Sequence, residues 1–332
     1  MLRIGKVKES VLKRSVLRQL KRTKADQAQE IFLQINPVEG WTLAAPRAVY
    51  GAVNALAAAG ADLTQMAITI LMPEGTEEAR LKSLMQDINR LCVKENLLLA
   101  AGHTAVSPAV KTLVMSVAGT GKLSGKETAS MDPASRVNTA KGMNIISGIT
   151  QAAPPVDMDI IMVGHAGREG AALLAAEQED KLRSRYARFF IEEAKHLFED
   201  AGLREAADLL WESGSVRMQD VREGGVFGAL WELACLCDVG LDIDLKKIPI
   251  RQHTIEICEF LDLNPYMLLS GGCLLAICPD GRQAVRILQS RDISAEIIGQ
   301  TRGNNDRLIR YDTETRYLEP PKTDEIYRYR KY

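Results

Sequence analysis

The stretch Met-Gln-Asp-Val-Arg-Glu-Gly-Gly-Val at residues 218–226 sets an aspartate and an arginine directly before a double glycine. Apolar residues with helical spacing continue to Cys237, so a helix is predicted to begin near Gly225. The aspartate, Asp220, could cap that helix by accepting hydrogen bonds from its free amides, or it could meet a metal ion. The sequence alone favours neither role over the other.

Predicted strands and helices alternate along the chain, which is typical of helices packed on sheets. The clearest helix has one apolar stripe between Leu81 and Cys92, after an acidic first turn at Glu77 and Glu78. The other predicted helices span residues 46–59, 226–237, 254–261 and 282–290. The predicted strands span residues 31–35, 66–72, 97–101, 112–118, 159–163, 239–245, 273–278, 295–298 and 308–311.

Length and composition indicate that the chain has two domains. At 332 residues with 46% hydrophobic residues, it is long enough for two ordinary cores. Glycine, serine, lysine and proline dominate residues 119–156, so the domain junction is predicted there. The predicted domains are residues 1–150 and 151–332. The first begins with a basic amphipathic helix over residues 4–22, whose charged face is predicted to be solvated; contact with an anionic surface is the alternative.

The charges of the chain nearly cancel, with 42 lysines and arginines against 43 aspartates and glutamates, so no nucleic-acid partner is expected. No apolar run approaches the length of about 20 residues that a membrane-spanning helix needs, and the basic start lacks signal-peptide features. We therefore expect a cytoplasmic location without membrane contact. The six cysteines show no metal-type spacing, and several lie in apolar runs such as Cys273 to Cys278, so they are predicted to be buried free thiols.

Several motifs, taken in order, resemble those of AIR synthase-related, HypE-like proteins of the PurM-like superfamily, in particular a clostridial-type branch. The matching segments are 53–61, 72–76, 102–104, 218–226, 239–241, 248–251, 257–265, 270–272, 297–299, 318–321 and 324–327. No single motif is specific, but their shared order covers nearly the whole chain. The resemblance implies an α+β fold, an α/β sandwich of two PurM-like domains. It also implies an amino-terminal sheet that dimerises into a barrel, a carboxyl-terminal α/β domain, and ATP bound with magnesium near the dimer interface.

Compared with that family, several acidic groups of the ATP and magnesium site are missing. Asn36 stands where a strand end presents an aspartate, and Ala55 replaces the aspartate that follows Asn54. The wider family has aspartate where His103 stands, and Arg222 replaces a threonine of the phosphate-side motif. Magnesium prefers oxygen ligands that include carboxylates. The resemblance and these changes together predict a degenerate site in a retained fold.

The resemblance also assigns the residues that remain of the site. The catalytic candidates are His103 and Asp220. The cofactor-binding candidates are Asn54, Gly102, Thr104, Arg222, Gly224 and Gly225, and no metal ligand is assigned; ATP with magnesium is the only cofactor implied. Several of these residues also have structural alternatives; Asn54 and Thr104, for example, could serve local hydrogen bonds. His103 is more often a hydrogen-bonded loop residue, and Arg222 more often pairs with neighbouring acids such as Asp220.

Two functions follow from this interpretation. The first is a HypE-like protein with weak or no turnover of Mg-ATP, acting as a dimeric scaffold with itself or with an active paralogue. The alternative is an ATP-dependent ligase- or dehydratase-type enzyme with a rearranged metal site. The side chains of that site would be Asn36, Asn54, His103 and Asp220. Hydrogenase maturation is disfavoured, because that chemistry uses a carboxy-terminal cysteine and the last cysteine here is Cys278.

Overall fold

The computed structural model describes Ser15 and residues 31–123, 155–320 and 322–330, which form two sheets with helices packed on them. The first half contains β1 (Ile31–Glu39), α1 (Ala44–Ala58), β2 (Ala61–Met72), α2 (Glu78–Lys94), β3 (Leu98–Val106) and β4 (Val114–Leu123). The second half contains β5 (Asp159–Val163), α3 (Arg168–Glu177), α4 (Glu179–Leu182), α5 (Arg188–Lys195), α6 (Arg204–Glu212), β6 (Arg217–Val221), α7 (Gly225–Cys237), β7 (Gly240–Asp244), α8 (Gln252–Leu261), β8 (Cys273–Cys278), α9 (Gly281–Gln289), β9 (Ala295–Arg302), β10 (Arg307–Tyr311) and β11 (Glu314–Tyr317). Short 3-10 helices lie at His196–Phe198, Leu245–Lys247, Pro265–Met267 and Glu325–Arg328.

The first sheet has the strand order β1-β4-β2-β3. β4 pairs antiparallel with β1 and β2, and β3 runs parallel to β2 at the edge. Side chains of β1 are alternately buried and exposed, because the helices cover one face of the sheet. On the other face Leu33 and Ile35 are 51% and 52% exposed. We call this surface, formed by Leu33, Ile35, Ala67, Leu71 and Ala118, the open sheet face.

β4 is longer than predicted. The sequence suggested a linker from Gly119 onward, but the strand continues to Leu123, so that prediction was wrong for its first residues. Gly119 leaves room for its neighbour within the strand, since a Cβ there would lie 2.6 Å from Leu63 Cδ1. Residues 124–154, which contain the predicted domain boundary, lie outside the described residues. The boundary stays a prediction.

Helix α1 lies between the two halves of the chain and is buried on both sides. Ala52 and Leu56 belong to the core of the first sheet, whereas Ala57 and Ala58 belong to a core of the second half. The many alanines let both neighbours approach the helix axis closely, because a methyl group adds little width. Trp211 fixes this contact, since its Nε1 donates to the Ala57 carbonyl oxygen at 3.1 Å.

The second sheet has seven strands in the order β11-β10-β7-β9-β5-β8-β6. β7 and β10 are parallel, and the other neighbouring strands are antiparallel. β8 is buried along its whole length, because its alternate side chains enter two different cores. β6 lies at the edge and leads into α7. The stretch 218–226 therefore forms the end of an edge strand, a two-glycine turn and the start of a helix.

Most predicted elements are present with their ends shifted by a few residues, and the predicted mixture of sheets and helices is confirmed. Strands β6 and β11 were not predicted. The helix expected over residues 4–22 falls outside the described residues except for Ser15, which is helical. Five cysteines are buried free thiols as predicted, but Cys235 is exposed. In the described ranges no helix has the length and apolar character needed to cross a bilayer, and the cytoplasmic location stays a prediction.

Candidate functional site

Arg222 lies where the two halves of the chain meet, and it bonds to both. Its Nε donates to Asp220 Oδ2 at 2.5 Å, its Nη1 donates to Asn36 Oδ1 at 2.5 Å, and its Nη2 donates to the Gly51 carbonyl oxygen. These acceptors belong to β6, β1 and α1, so one guanidinium joins three elements. We call this arrangement the Arg222 bridge. The pairing with Asp220 that the sequence favoured is observed.

The surroundings of Asn36 orient it toward this guanidinium. Asn36 is 6% exposed, and its Nδ2 donates to the carbonyl oxygens of Arg47 at 2.9 Å and Ala48 at 3.1 Å. With its amino group held in this way, its Oδ1 is directed at Arg222. Gly51 must lack a side chain, because a Cβ at this position would lie 2.1 Å from Asn36 Nδ2. The oxygens of Asn36, Gly51 and Asp220 thus surround the position that the guanidinium cation occupies.

Asn54 lies one turn further along α1 and joins the halves of the chain a second time. Its Nδ2 donates to the Ala201 carbonyl oxygen at 2.7 Å, and its Oδ1 accepts from the Leu203 amide at 2.9 Å. The side chain is 3% exposed. It satisfies two backbone groups that would otherwise be buried without partners. Its role as a cofactor ligand stays a prediction, and in this conformation its polar atoms serve the contact between the halves.

A buried ion pair makes a third connection between the halves. Arg47 Nε donates to Glu169 Oε1 at 2.7 Å, and the two side chains are only 10% and 8% exposed. The other carboxylate oxygen of Glu169 accepts from the Gly271 amide at 3.0 Å. Sequence reasoning missed this pair, because the two residues are 122 positions apart and neither lies in a motif that suggests a partner.

The double glycine forms a tight turn at the start of α7. Gly224 and Gly225 have φ values of +86° and +62°, a region that favours glycine. A Cβ on Gly225 would lie 2.5 Å from a neighbouring carbonyl oxygen, so the turn is also too crowded for a side chain. The carboxylate at this helix start is Asp324, whose Oδ2 accepts from the Gly224 amide at 2.6 Å. Asp220, the cap considered from the sequence, instead binds Arg222.

Asp324 is 2% exposed and accepts two more backbone hydrogen bonds through its Oδ1. The donors are the amides of Leu269 at 3.2 Å and Ile326 at 2.9 Å. Burial raises the pKa of Asp324 to about 7, and the charge of Glu223 acts in the same direction, whereas the three amides favour the charged form. The sequence placed this residue in a matched segment but assigned it no role.

Strand β3 contains three predicted site residues, Gly102, His103 and Thr104. His103 was expected in a loop, and that expectation was wrong, because the strand extends through Val106. Gly102 lies within this edge strand, whose backbone pairs on one side only. All three residues are exposed.

His103 and Asp220 do not meet within one chain. β4 and β2 lie between β3 and β1, so about 14 Å of sheet separates His103 from the strand of Asn36, at a spacing of about 4.8 Å per strand. His103 pairs with Thr69, whose exposed side chain lies on the face away from the helices. Asn36 is buried on the helix side. His103 therefore lies on the opposite face of the first sheet from Asn36, which contacts Arg222, the partner of Asp220.

The residues of the Arg222 bridge do not fit a magnesium ion. A hard cation takes oxygen ligands, but the carboxylate of Asp220 already binds a guanidinium whose charge would repel a metal. Among the described residues there is no cluster of three or more His, Cys, Asp or Glu side chains that could hold one. The rearranged set is not assembled within one chain either, because Asn54 faces the second half and His103 lies across the sheet.

Comparison with known families assigns this arrangement to a class of proteins. Residues 28–123 match the family described as AIR synthase related protein, N-terminal domain. Residues 156–310 match the family described as AIR synthase related protein, C-terminal domain. The two matches correspond to the two sheets and their helices. The fold and the matched domains together define a two-domain protein of the AIR synthase-related class.

Individual relatives indicate which members of this class the chain resembles. A Methanocaldococcus jannaschii protein named for hydrogenase expression/formation is 26% identical over 286 residues, which cover 84% of this chain and 76% of the relative. Carbamoyl dehydratase HypE of Rhodobacter capsulatus is 27% identical over 248 residues, which cover 74% of this chain and 64% of that protein. The chain belongs to the AIR synthase-related family as a HypE-like member.

Solved structures of HypE share the fold. The HypE–HypF complex gives a TM-score of 0.70 at 20% identity, with 93% of this chain and 99% of that chain covered. HypE in complex with ATP gives a TM-score of 0.67 at 16% identity, with 98% of each chain covered. At these identities the likeness establishes the fold alone. The PurM-like two-domain fold expected from the sequence is confirmed.

We expect Asn54→Ala to lower the free energy of unfolding by about 3 kcal/mol, because it leaves the buried Ala201 carbonyl and Leu203 amide without partners. Urea unfolding followed by tryptophan fluorescence measures the change. Asn89→Ala, at an exposed position of α2, is the matched control and should change stability by less than about 0.5 kcal/mol. Equal effects of the two substitutions would show that Asn54 does not join the halves.

His165, in the turn between β5 and α3, makes stability depend on pH. Burial lowers the pKa of His165 to about 4 from its ordinary 6.5, and the charges of Arg251 and Arg168 act in the same direction. Between pH 6.5 and 4 the unfolded chain binds a proton at His165 that the folded chain does not bind. The contribution of neutral His165 to stability is therefore complete above pH 6.5 and is lost as the pH falls toward 4. We expect the unfolding free energy to fall more steeply over this window in the wild type than in His165→Gln. Parallel curves from chemical unfolding at stepped pH would contradict this.

Proposed function

We propose that this chain is a HypE-like protein that does not turn over Mg-ATP and acts in the cytoplasm as a dimeric scaffold, with itself or with an active paralogue. The observation that carries the proposal is the Arg222 bridge. Three oxygen atoms, from Asp220, Asn36 and Gly51, surround the guanidinium. Such oxygens are what a hard cation requires, and here a covalently attached cation already satisfies them.

The intact packing of the first sheet and of the contacts between the halves supports continued use of the protein. α2 still buries Leu84, Ile88 and Cys92 against the first sheet. Each connection between the halves is also complete, with both partners of the Arg47–Glu169 pair present. Loss of all selection would have placed unpaired polar groups in such buried positions, at a cost of about 1–3 kcal/mol each. The changes relative to the family fall instead on the groups that would hold charge for a metal.

We expect isothermal titration of the full-length protein with millimolar ATP to give no binding heat, with or without magnesium. The melting temperature should also stay constant. A ligand that did bind, present at 100 times its Kd, would stabilise the protein by about 2.7 kcal/mol and raise the melting temperature. The physical reason is the positive charge of Arg222, which already binds the neighbouring carboxylate of Asp220. Magnesium-dependent ATP turnover that falls in Asp220→Asn would contradict the proposal.

Two variants separate the charge of Arg222 from its contacts. Arg222→Thr introduces the residue type that the family motif carries and removes the charge, whereas Arg222→Lys keeps a cation there. If the cation excludes magnesium, binding heat should appear with Mg-ATP in the Thr variant and not in the Lys variant. Circular dichroism of both variants checks that they are folded before titration.

The open sheet face supports the dimeric part of the proposal. Leu33 and Ile35 stand on a surface that the described helices leave uncovered. Sheet faces and edges of this kind promote association, and a second copy would cover them. HypE in its complex with HypF is a structural neighbour, which supports a protein partner more generally.

We expect the wild-type protein to be a dimer in multi-angle light scattering at micromolar concentration, and the double variant Leu33→Lys/Ile35→Lys to be a folded monomer. Two lysines would have to be buried without partners in the interface. Phe189→Lys is the control, because Phe189 is 69% exposed on α5 and lies in the second half of the chain. A monodisperse wild-type monomer, or a double variant that remains dimeric, would contradict the prediction.

A further inference from the structure

An open groove lies beside the start of α1, where α2 and the 3-10 helix His196–Phe198 come close to it. Its volume is about 540 Å³, a size at which pockets take up small molecules. The first half of the chain contributes residues 41–46 and one face of α2, and the second half contributes Phe198 and Glu199. We call it the α1–α2 groove. As formed by the described residues, it contains no member of the Arg222 bridge.

The floor of the groove is apolar. Leu84 of α2 and Phe198 are both buried beneath it, and Leu43 and Leu91 pack beside Phe198. Leu84 and Leu91 are seven residues apart, which is two helical turns, so they lie on the same face of α2. This floor suits a ligand whose body is apolar and about the size of one ring.

Arg80 of α2 supplies a cation at the rim of this floor. Its Cζ lies 4.2 Å from the centroid of the Trp41 ring, which is the distance of a cation–π contact. The guanidinium has five N–H donors, and within the described ranges of the chain its side chain makes no hydrogen bond or ion pair. A guanidinium held against an aromatic ring is suited to a planar carboxylate, whose two oxygens match its fork of donors.

The loop that carries Trp41 is fixed by backbone hydrogen bonds. The Gly40 amide donates to the Leu113 carbonyl oxygen at 2.9 Å, and the Ala44 amide donates to the Trp41 carbonyl oxygen at 3.2 Å. The Trp41 side chain also packs against the core of the first sheet. The ring that supports Arg80 is therefore already in place without a ligand, as is usual for small-molecule sites.

The other charged side chains that line the groove have partners. Arg90 Nη2 donates to Asp87 Oδ1 at 2.8 Å, and Glu199 Oε1 lies 2.5 Å from His196 Nδ1. Arg80 is therefore the lining cation whose donors remain available in this part of the structure. Asp87 and Glu199 would repel a second negative charge on a ligand, so the groove favours an anion with a single charge.

We propose that the α1–α2 groove binds a small organic acid with one carboxylate and an apolar body of ring size. The carboxylate accepts hydrogen bonds from Arg80, and the body lies on Leu84 and Phe198. The proposal goes beyond the function proposed above, because it concerns a separate groove and requires neither ATP nor a metal.

Phenylacetate is the probe, and phenylacetamide, which has the same ring without the charge, is its matched control. Full-length protein labelled with ¹⁵N at tryptophan gives three indole signals, from Trp41, Trp211 and Trp231, and Trp41→Phe identifies the first. We expect phenylacetate to shift the Trp41 signal with saturation and to leave the other two unchanged, because only Trp41 lines the groove. Phenylacetamide should bind about tenfold more weakly, since it lacks the charged hydrogen bonds.

Variants of α2 assign the charge effect to one residue. Arg80→Gln should weaken the binding of phenylacetate about tenfold and leave that of phenylacetamide unchanged. Lys82→Gln is the matched control, because Lys82 is an exposed cation of the same helix outside the groove. Its affinity for phenylacetate should equal that of the wild type. Unshifted Trp211 and Trp231 signals in the ligand-free variants show that they are folded.

A dianion with the same ring, para-phenylenediacetate, tests the preference for a single charge. We expect it to bind more weakly than phenylacetate, because its second carboxylate meets Asp87 or Glu199. An unshifted Trp41 signal, equal affinities for phenylacetate and its amide, or tighter binding of the dianion overturns the proposal. Binding of Mg-ATP by the wild type would overturn the function proposed above and leave these results standing.

Discussion

The close packing of α1 between the two halves of the chain determines where the polar groups of the site can lie. Arg47, Gly51 and Asn54 are spaced by four and three residues, so they fall on one face of the helix, toward the second half. Each makes a polar contact across the junction, to Glu169, to Arg222, and to the backbone at residues 201 and 203. Alanines on the same helix keep the junction thin enough for these short contacts.

The charged side chains of this junction are partly or mostly buried, and each needs a fixed partner, since an unpaired buried charge costs several kcal/mol. Arg222 meets this requirement through Asp220 and two neutral oxygens. A guanidinium differs from a metal ion in one decisive respect: it cannot dissociate. The two halves are therefore tied together whether or not a ligand is present.

The elements and contacts that depend on local sequence patterns could be predicted from the sequence. The contacts between residues far apart along the chain could not. The α2 stripe follows the helical repeat, and the pairing of Arg222 with Asp220 joins residues two positions apart, so both could be foreseen. The contact of Arg222 with Asn36 spans 186 positions, and that of Asp324 with Gly224 spans 100. Only the folded chain brings these groups together. The end of β4 was misplaced because the composition from Gly119 onward suggested a linker, and His103 was expected in a loop although β3 continues through Val106.

The geometry of β1 lets the residue beside Arg222 and the open sheet face vary independently. Successive side chains of a strand point to opposite faces of a sheet. Asn36 is buried on the helix side beside Arg222, whereas Ile35, its neighbour, is half exposed on the open sheet face. A carboxylate can thus be replaced at one position without disturbing an apolar surface at the next. Selection can act on the two faces separately, so a change of charge beside Arg222 need not alter the open sheet face.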